Sequence, residues 1–171
     1  MNFEQSTSAK VDRVPLTGIF NIQLIRKGMV VEEFTVKNSI TTEGKNKILD
    51  VMFNQDVQIT TWYIGLIDNS PAPTLAVGDT MSSHSGWSEL TAYDEATRVE
   101  WTEGAASSGS ITNATALDFT MNATNIAYGI FVTSDSAKSG SAGTLWSTAA
   151  FGSTVSVVSS DVLKVTYTVN A

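Results

Sequence analysis

Apolar and polar residues alternate with a period of two over most of this chain, and with a period near 3.6 over one short stretch. In GIFNIQLIRKGMVVEEFTVKN, Phe20, Ile22 and Leu24 share one face of an extended run, with Ile19, Asn21, Gln23 and Ile25 on the other. Arg26-Lys27-Gly28 supplies a turn in which Gly28 is free to take positive φ. Val30, Glu32, Phe34 and Val36 then alternate with Val31, Glu33, Thr35 and Lys37, so a β-hairpin is predicted. Further on, Trp62 to Ile67 reads as a strand with Trp62, Ile64 and Leu66 on one face, stopped by the turn residues Asp68-Asn69-Ser70-Pro71. The run from Ala72 to Gly86 has no period, and Leu90 to Trp101 regains extended character with Arg98, Glu100 and Thr102 opposite Val99 and Trp101. Residues 103 to 114 read as a small-residue loop.

The second half repeats the period-two signal. Leu117, Phe119 and Met121 alternate with Ala116, Asp118 and Thr120, and Ile126 to Val132 forms a strand with Gly129 inside it, a bulge position. Leu145 to Phe151 is a strand broken by Gly152-Ser153, and Val155 to Val158 is a short one. Over Val162 to Val169, Leu163, Val165, Tyr167 and Val169 share a face. The exception to this period is SITTEGKNKILDVMFNQ, where Ile48, Leu49, Met52 and Phe53 fall on one helical face. Thr41 or Thr42 caps it, Glu43 suits the first turn, and Asn54 ends it. The expectation is an amphipathic helix lying on a sheet with these apolar residues in the core.

About eight strands separated by Gly/Ser-rich turns, with a single helix, predict a mainly β fold: an antiparallel β-sandwich with one short amphipathic helix. Residues 1–15 are polar and end in Val14-Pro15, so an extended N-terminal arm is expected there, ahead of a single domain over 16–171.

Composition narrows what such a fold does. The 171 residues suffice for one substantial core, and charged residues are only 16% against about 25% in an average protein. The net charge is −7, and the basic residues are scattered, so no phosphate-neutralising patch forms and nucleic acid is not an expected partner. An acidic membrane surface fits no better, and no apolar run spans a bilayer. The N-terminus has no apolar core of a secretory signal, and the sequons at Asn113 and Asn122 are read as chance in an Asn/Thr-rich segment. With no cysteine there is no disulfide, thiolate metal site or Cys nucleophile.

Four groups of residues invite a chemical reading. His84 lies among Ser82, Ser83 and Ser85 with Asp79 and Asp94 nearby, but no Gly-x-Ser-x-Gly elbow surrounds any of them. Asp68, Asn69, Ser70 and Asp79 offer oxygens without a calcium-loop spacing. Glu32-Glu33 point to opposite faces of a strand and Asp94-Glu95 sit in a turn, so neither resembles a glycosidase pair. Trp62, Trp101 and Trp146 fall within strands and belong to the core, whereas Trp87 sits in the aperiodic loop and is the candidate exposed anchor. The expectation is a non-enzyme with no cofactor and no metal. Residues 68–90 are read as an interaction loop whose partner-binding candidates are Pro71, Pro73, Met81, His84 and Trp87.

The segments GKNKILDVMF, WYIGLID, GDTMSSHSGWSE and Tyr93 to Trp101, followed by ITNATALDFTMNATNIAYGIFVTSDS, GTLWSTAAF and SSDVLKVTYTV, together resemble a group of small structural proteins of tailed bacteriophages. The likeness covers about residues 40 to 171. It implies a virion component on the outer surface of the capsid: a decoration or cement protein that binds the major capsid protein, and itself as a homodimer or homotrimer. A tail- or fibre-associated receptor- or carbohydrate-binding module is the alternative. On the cement reading the arm orders on assembly, and the acidic charge suits a part held away from packaged DNA.

Overall fold

The computed structural model describes residues 15–171, and apart from Pro15 the expected N-terminal arm lies outside the described residues. The chain runs β1 (Thr17–Arg26), β2 (Met29–Lys37), β3 (Ser39–Ile40), α1 (Thr42–Phe53), β4 (Trp62–Asp68), β5 (Glu89–Leu90), β6 (Val99–Trp101), β7 (Ser110–Thr112), β8 (Leu117–Thr120), β9 (Asn125–Thr133), β10 (Leu145–Val157) and β11 (Val162–Asn170). One sheet has the order β2-β1-β11, with β7 and β8 both pairing the far side of β11. The other has the order β3-β10-β9-β4, with β5 and β6 both pairing β4. Every pairing is antiparallel, and the fold is the expected sandwich with one short helix.

The first hairpin forms where alternation places it. Lys27 and Gly28 both take positive φ, 52° and 78°, the twist a two-residue hairpin turn requires. Phe20, Ile22 and Leu24 are buried and meet Leu163, Val165 and Tyr167 of β11 in the neighbouring register. The Phe20 and Tyr167 rings stack with centroids 4.2 Å apart. From the opposite sheet come Ile64, Leu66, Ile130, Val132 and Val157, all essentially inaccessible.

Leu90 to Trp101, expected to be extended, holds strand only at Glu89–Leu90 and Val99–Trp101, with irregular chain between, and three further expectations need correction. Leu145–Phe151 and Val155–Val158 are one strand, β10, because Gly152 at φ 82° absorbs the extra residues as a bulge between the Ala150 and Val155 registers. Gly129 stands opposite Ala150 at that bulge, as expected, and a Cβ there would run into the Ala149 carbonyl. The 103–114 loop contains a short strand, β7, reached through a tight turn at Ser108 and Gly109, both with positive φ.

The third correction concerns α1. Thr41 is its N-cap, with Oγ1 accepting from Gly44 N–H at 2.9 Å, and Asn54 is its C-cap. But of the four apolar residues expected in the core, only Ile48 packs against it. Leu49, Met52 and Phe53 are 55%, 67% and 80% exposed. The rotation is set at the first turn. Glu43 accepts the Leu145 N–H at 2.7 Å, and Thr41 donates through Oγ1 to the Leu145 carbonyl. Gly44 then lies against the Trp146 backbone, where a Cβ would sit 2.6 Å from the carbonyl oxygen. With Gly44, Ile48 and Val51 turned inward, the wheel places Leu49, Met52 and Phe53 on the opposite face.

Candidate interface

Strand β4 is buried on both sides, and this explains the loop that follows it. Ile64 and Leu66 point into the sandwich, while Ile67, on the alternate side, joins Phe131 and Leu145 in a second apolar cluster on the outer face of the sheet. Met81 and Trp87 complete that cluster at 1% and 5% exposure. The loop between β4 and β5 is therefore a cover for the outer face of its own sheet. Trp87 donates its indole N–H to Asp79 Oδ2 at 3.0 Å, and the same oxygen accepts Ala76 N–H at 2.9 Å. Thr74 N–H closes the loop onto the Gly86 carbonyl at 2.7 Å.

The five partner-binding candidates thus divide. Trp87 and Met81 are core residues, Pro73 is buried, and none of the three presents a surface to another chain; the expected exposed anchor at Trp87 is corrected. Pro71 is exposed and His84 half-buried. The His84 ring stacks on Trp87 at 3.9 Å, with Nδ1 3.2 Å from the Trp87 carbonyl oxygen.

Beneath this cover lies a group that alternation concealed. Arg98, expected on an outward face, is 1% exposed. Its Nε and Nη2 donate to the two carboxylate oxygens of Glu89 at 3.0 and 2.9 Å. Nη2 also donates to the Gly140 carbonyl at 2.9 Å. Nη1 donates to the Asp135 carbonyl and carboxylate at 2.9 and 3.4 Å, and the guanidinium lies 5.2 Å from the Phe131 ring centroid. Glu89 Oε2 further accepts Ser139 N–H at 2.7 Å. A hollow of about 250 Å³ lies between this group, His84 and Trp87. Its charged members are already spent on one another, so the constellation ties β5 and the 134–144 loop to the sheet rather than holding groups ready for a substrate. Nearby, Lys138 Nζ lies 3.6 Å from the Tyr93 ring centroid and donates to the Tyr93 carbonyl at 2.7 Å. Burial of this ammonium lowers its pKa. Among the described residues, no group of three or more His, Asp or Glu side chains is placed to hold a metal, and no helix is long and apolar enough to cross a membrane.

A second surface adjoins the β4–β5 loop, where Thr42 N–H at the start of α1 donates to the Val77 carbonyl at 2.8 Å. The outward face of α1 presents Leu49, Met52 and Phe53, and the segment leaving the helix adds Val57 at 79% exposure. Beside it the two sheets part into an apolar mouth of about 310 Å³, lined among others by Leu16, Ile48, Ile59, Trp62 and Trp146. Scattered single apolar residues are normal on a protein surface, but Leu49, Met52 and Phe53 adjoin on one helix face and present on the order of a few hundred Å², the size of the largest patch on a typical monomer, which is often functional. Sequence periodicity had found these residues and assigned them the wrong environment. The signal that separates the two faces is Gly44, a helical glycine on the stripe with Ile48 and Val51.

No protein-family model matches the chain, and no curated protein matches it.

Proposed function

We propose that this chain is a structural protein of a bacteriophage virion, a capsid decoration protein that binds the shell of major capsid protein from outside and stabilises it. The observation that carries the reading is the α1 face: an apolar stripe of Leu49, Met52 and Phe53 turned outward on a rigid sandwich, with a second exposed apolar run, Met29-Val30-Val31, on the β1–β2 hairpin. A shell-stabilising part needs stiff, pre-formed docking surfaces more than reactive groups. The polar constellation at Arg98 is consumed internally, which agrees with that demand. The resemblance of residues 40 to 171 to phage structural proteins supplies the setting. A carbohydrate-binding role would draw support from a cluster of exposed aromatics beside Asp and Asn; Trp87, Trp101 and Trp146 are packed inside, and Phe53, beside Asn54 and Asp56, is a single exposed aromatic rather than a cluster among the described residues.

The test is sedimentation of purified protein with capsids that lack it. Saturable retention on the capsids, which then withstand higher temperature before rupture, is the expected result. Capsids that retain none of the protein would overturn the reading.

A further inference from the structure

The outward face of α1 is polar at its start and apolar toward its end. Lys45 and Asn46 precede Leu49, Met52 and Phe53 on it, all exposed. The helix has no basic residue in its last turn, where unsatisfied carbonyls carry partial negative charge; the nearby Asp56 is already paired with Lys47 at 2.6 Å. Such a face is complementary to itself when reversed. Two copies laid antiparallel bring leucine, methionine and phenylalanine together at the centre, and each Lys45 falls toward the other helix's C-terminal turn.

We infer that the α1 face is where a second copy of this chain docks, forming a two-fold dimer through an antiparallel α1–α1 contact. This deepens the reading of the face as an assembly surface and rests on it. A two-fold interface uses one patch twice, so a single self-complementary stripe suffices. The area is small: two faces on the order of a few hundred Å² each bury somewhat less than about 1,000 Å² together, the range of a weak interface. The dimer is accordingly weak in dilute solution and strengthened where a shell concentrates its subunits. The helix register is rigid, because Gly44 and Glu43 are fixed against Trp146 and Leu145, so the stripe is presented without rearrangement.

The test is sedimentation equilibrium of the full chain from micromolar to millimolar concentration, without capsids. A reversible monomer–dimer equilibrium is expected. Phe53→Asp should weaken it about a hundredfold, by placing two charges in the apolar centre. Lys45→Glu should weaken it about three- to tenfold. Both positions are exposed, so both variants keep the fold. Because the chain lacks cysteine, Met52→Cys adds a second reading: mild oxidation should link it into dimers, while Val158→Cys, past the far end of β10, should stay monomeric. A wild type that is monomeric throughout overturns the inference, as does a dimer indifferent to Phe53→Asp or cross-linking that is equal at both positions. Retention on capsids is measured separately, so a monomer that still binds capsids would remove the dimer and leave the decoration reading standing.

Discussion

Arg98 is a cation held almost wholly out of water by two carboxylates and two carbonyls. A pair of this kind adds little net stability over well-packed apolar residues, yet removing one partner strands the other in the interior. Arg98→Leu should therefore cost about 3–5 kcal/mol, while the double variant Arg98→Leu/Glu89→Met costs clearly less. Urea unfolding of the three proteins measures both. Asp161 behaves differently. It closes the β10–β11 turn, accepting Val158 N–H at 2.9 Å and receiving Arg26 through Nε at 2.9 Å and Nη2 at 2.6 Å. The Arg26 hydrogen bonds hold its carboxyl below the usual carboxylate range. A carboxyl depressed in the folded state binds its proton more readily when unfolded, so its contribution is complete above the unfolded pKa near 4 and disappears as pH falls through the folded value. Between neutral pH and pH ~3, the urea midpoint of the wild type should fall further than that of Asp161→Asn. Equal falls would show that this carboxylate does not govern the acid limb.

At the scale of elements, α1 carries the sharpest prediction. Replacing a glycine inside a helix by alanine ordinarily stabilises by up to about 1 kcal/mol. At Gly44 the added methyl meets the Trp146 carbonyl and ring at 2.6 and 2.9 Å, so Gly44→Ala should destabilise, by about 1–3 kcal/mol in thermal or urea unfolding. A stabilised variant would mean that α1 is not seated against β10 as described. The same contact shows what could and could not be read from sequence. Alternation along β1 and β11 identifies their buried faces because each strand carries its own period. The rotation of α1 rests on Glu43 and Gly44 meeting Leu145 and Trp146, about a hundred residues away; Gly44 marks the inward side, but apolar periodicity alone, with Ile48, Leu49, Met52 and Phe53 on one arc, points the other way. Trp87 was misplaced for a like reason. Its burial follows from Ile67 and Phe131 being apolar on the outer side of the sheet, and a loop tryptophan shows no period that would say so. Arg98 alternates correctly with Val99, but its outward side is roofed by the 134–144 loop.

Across the whole molecule, the chain's own loop over Trp87 and Met81 seals part of the outer face of one sheet, and α1, joined to that loop where Thr42 N–H donates to the Val77 carbonyl, leaves its apolar stripe and the neighbouring mouth uncovered among the described residues. The most direct measurement is a cryo-EM reconstruction of virions assembled with and without this protein. The account predicts added density on the outer shell, with the α1 stripe buried against a second copy or a capsid subunit. Density confined to the tail, or an α1 stripe facing solvent in the assembled particle, would contradict it.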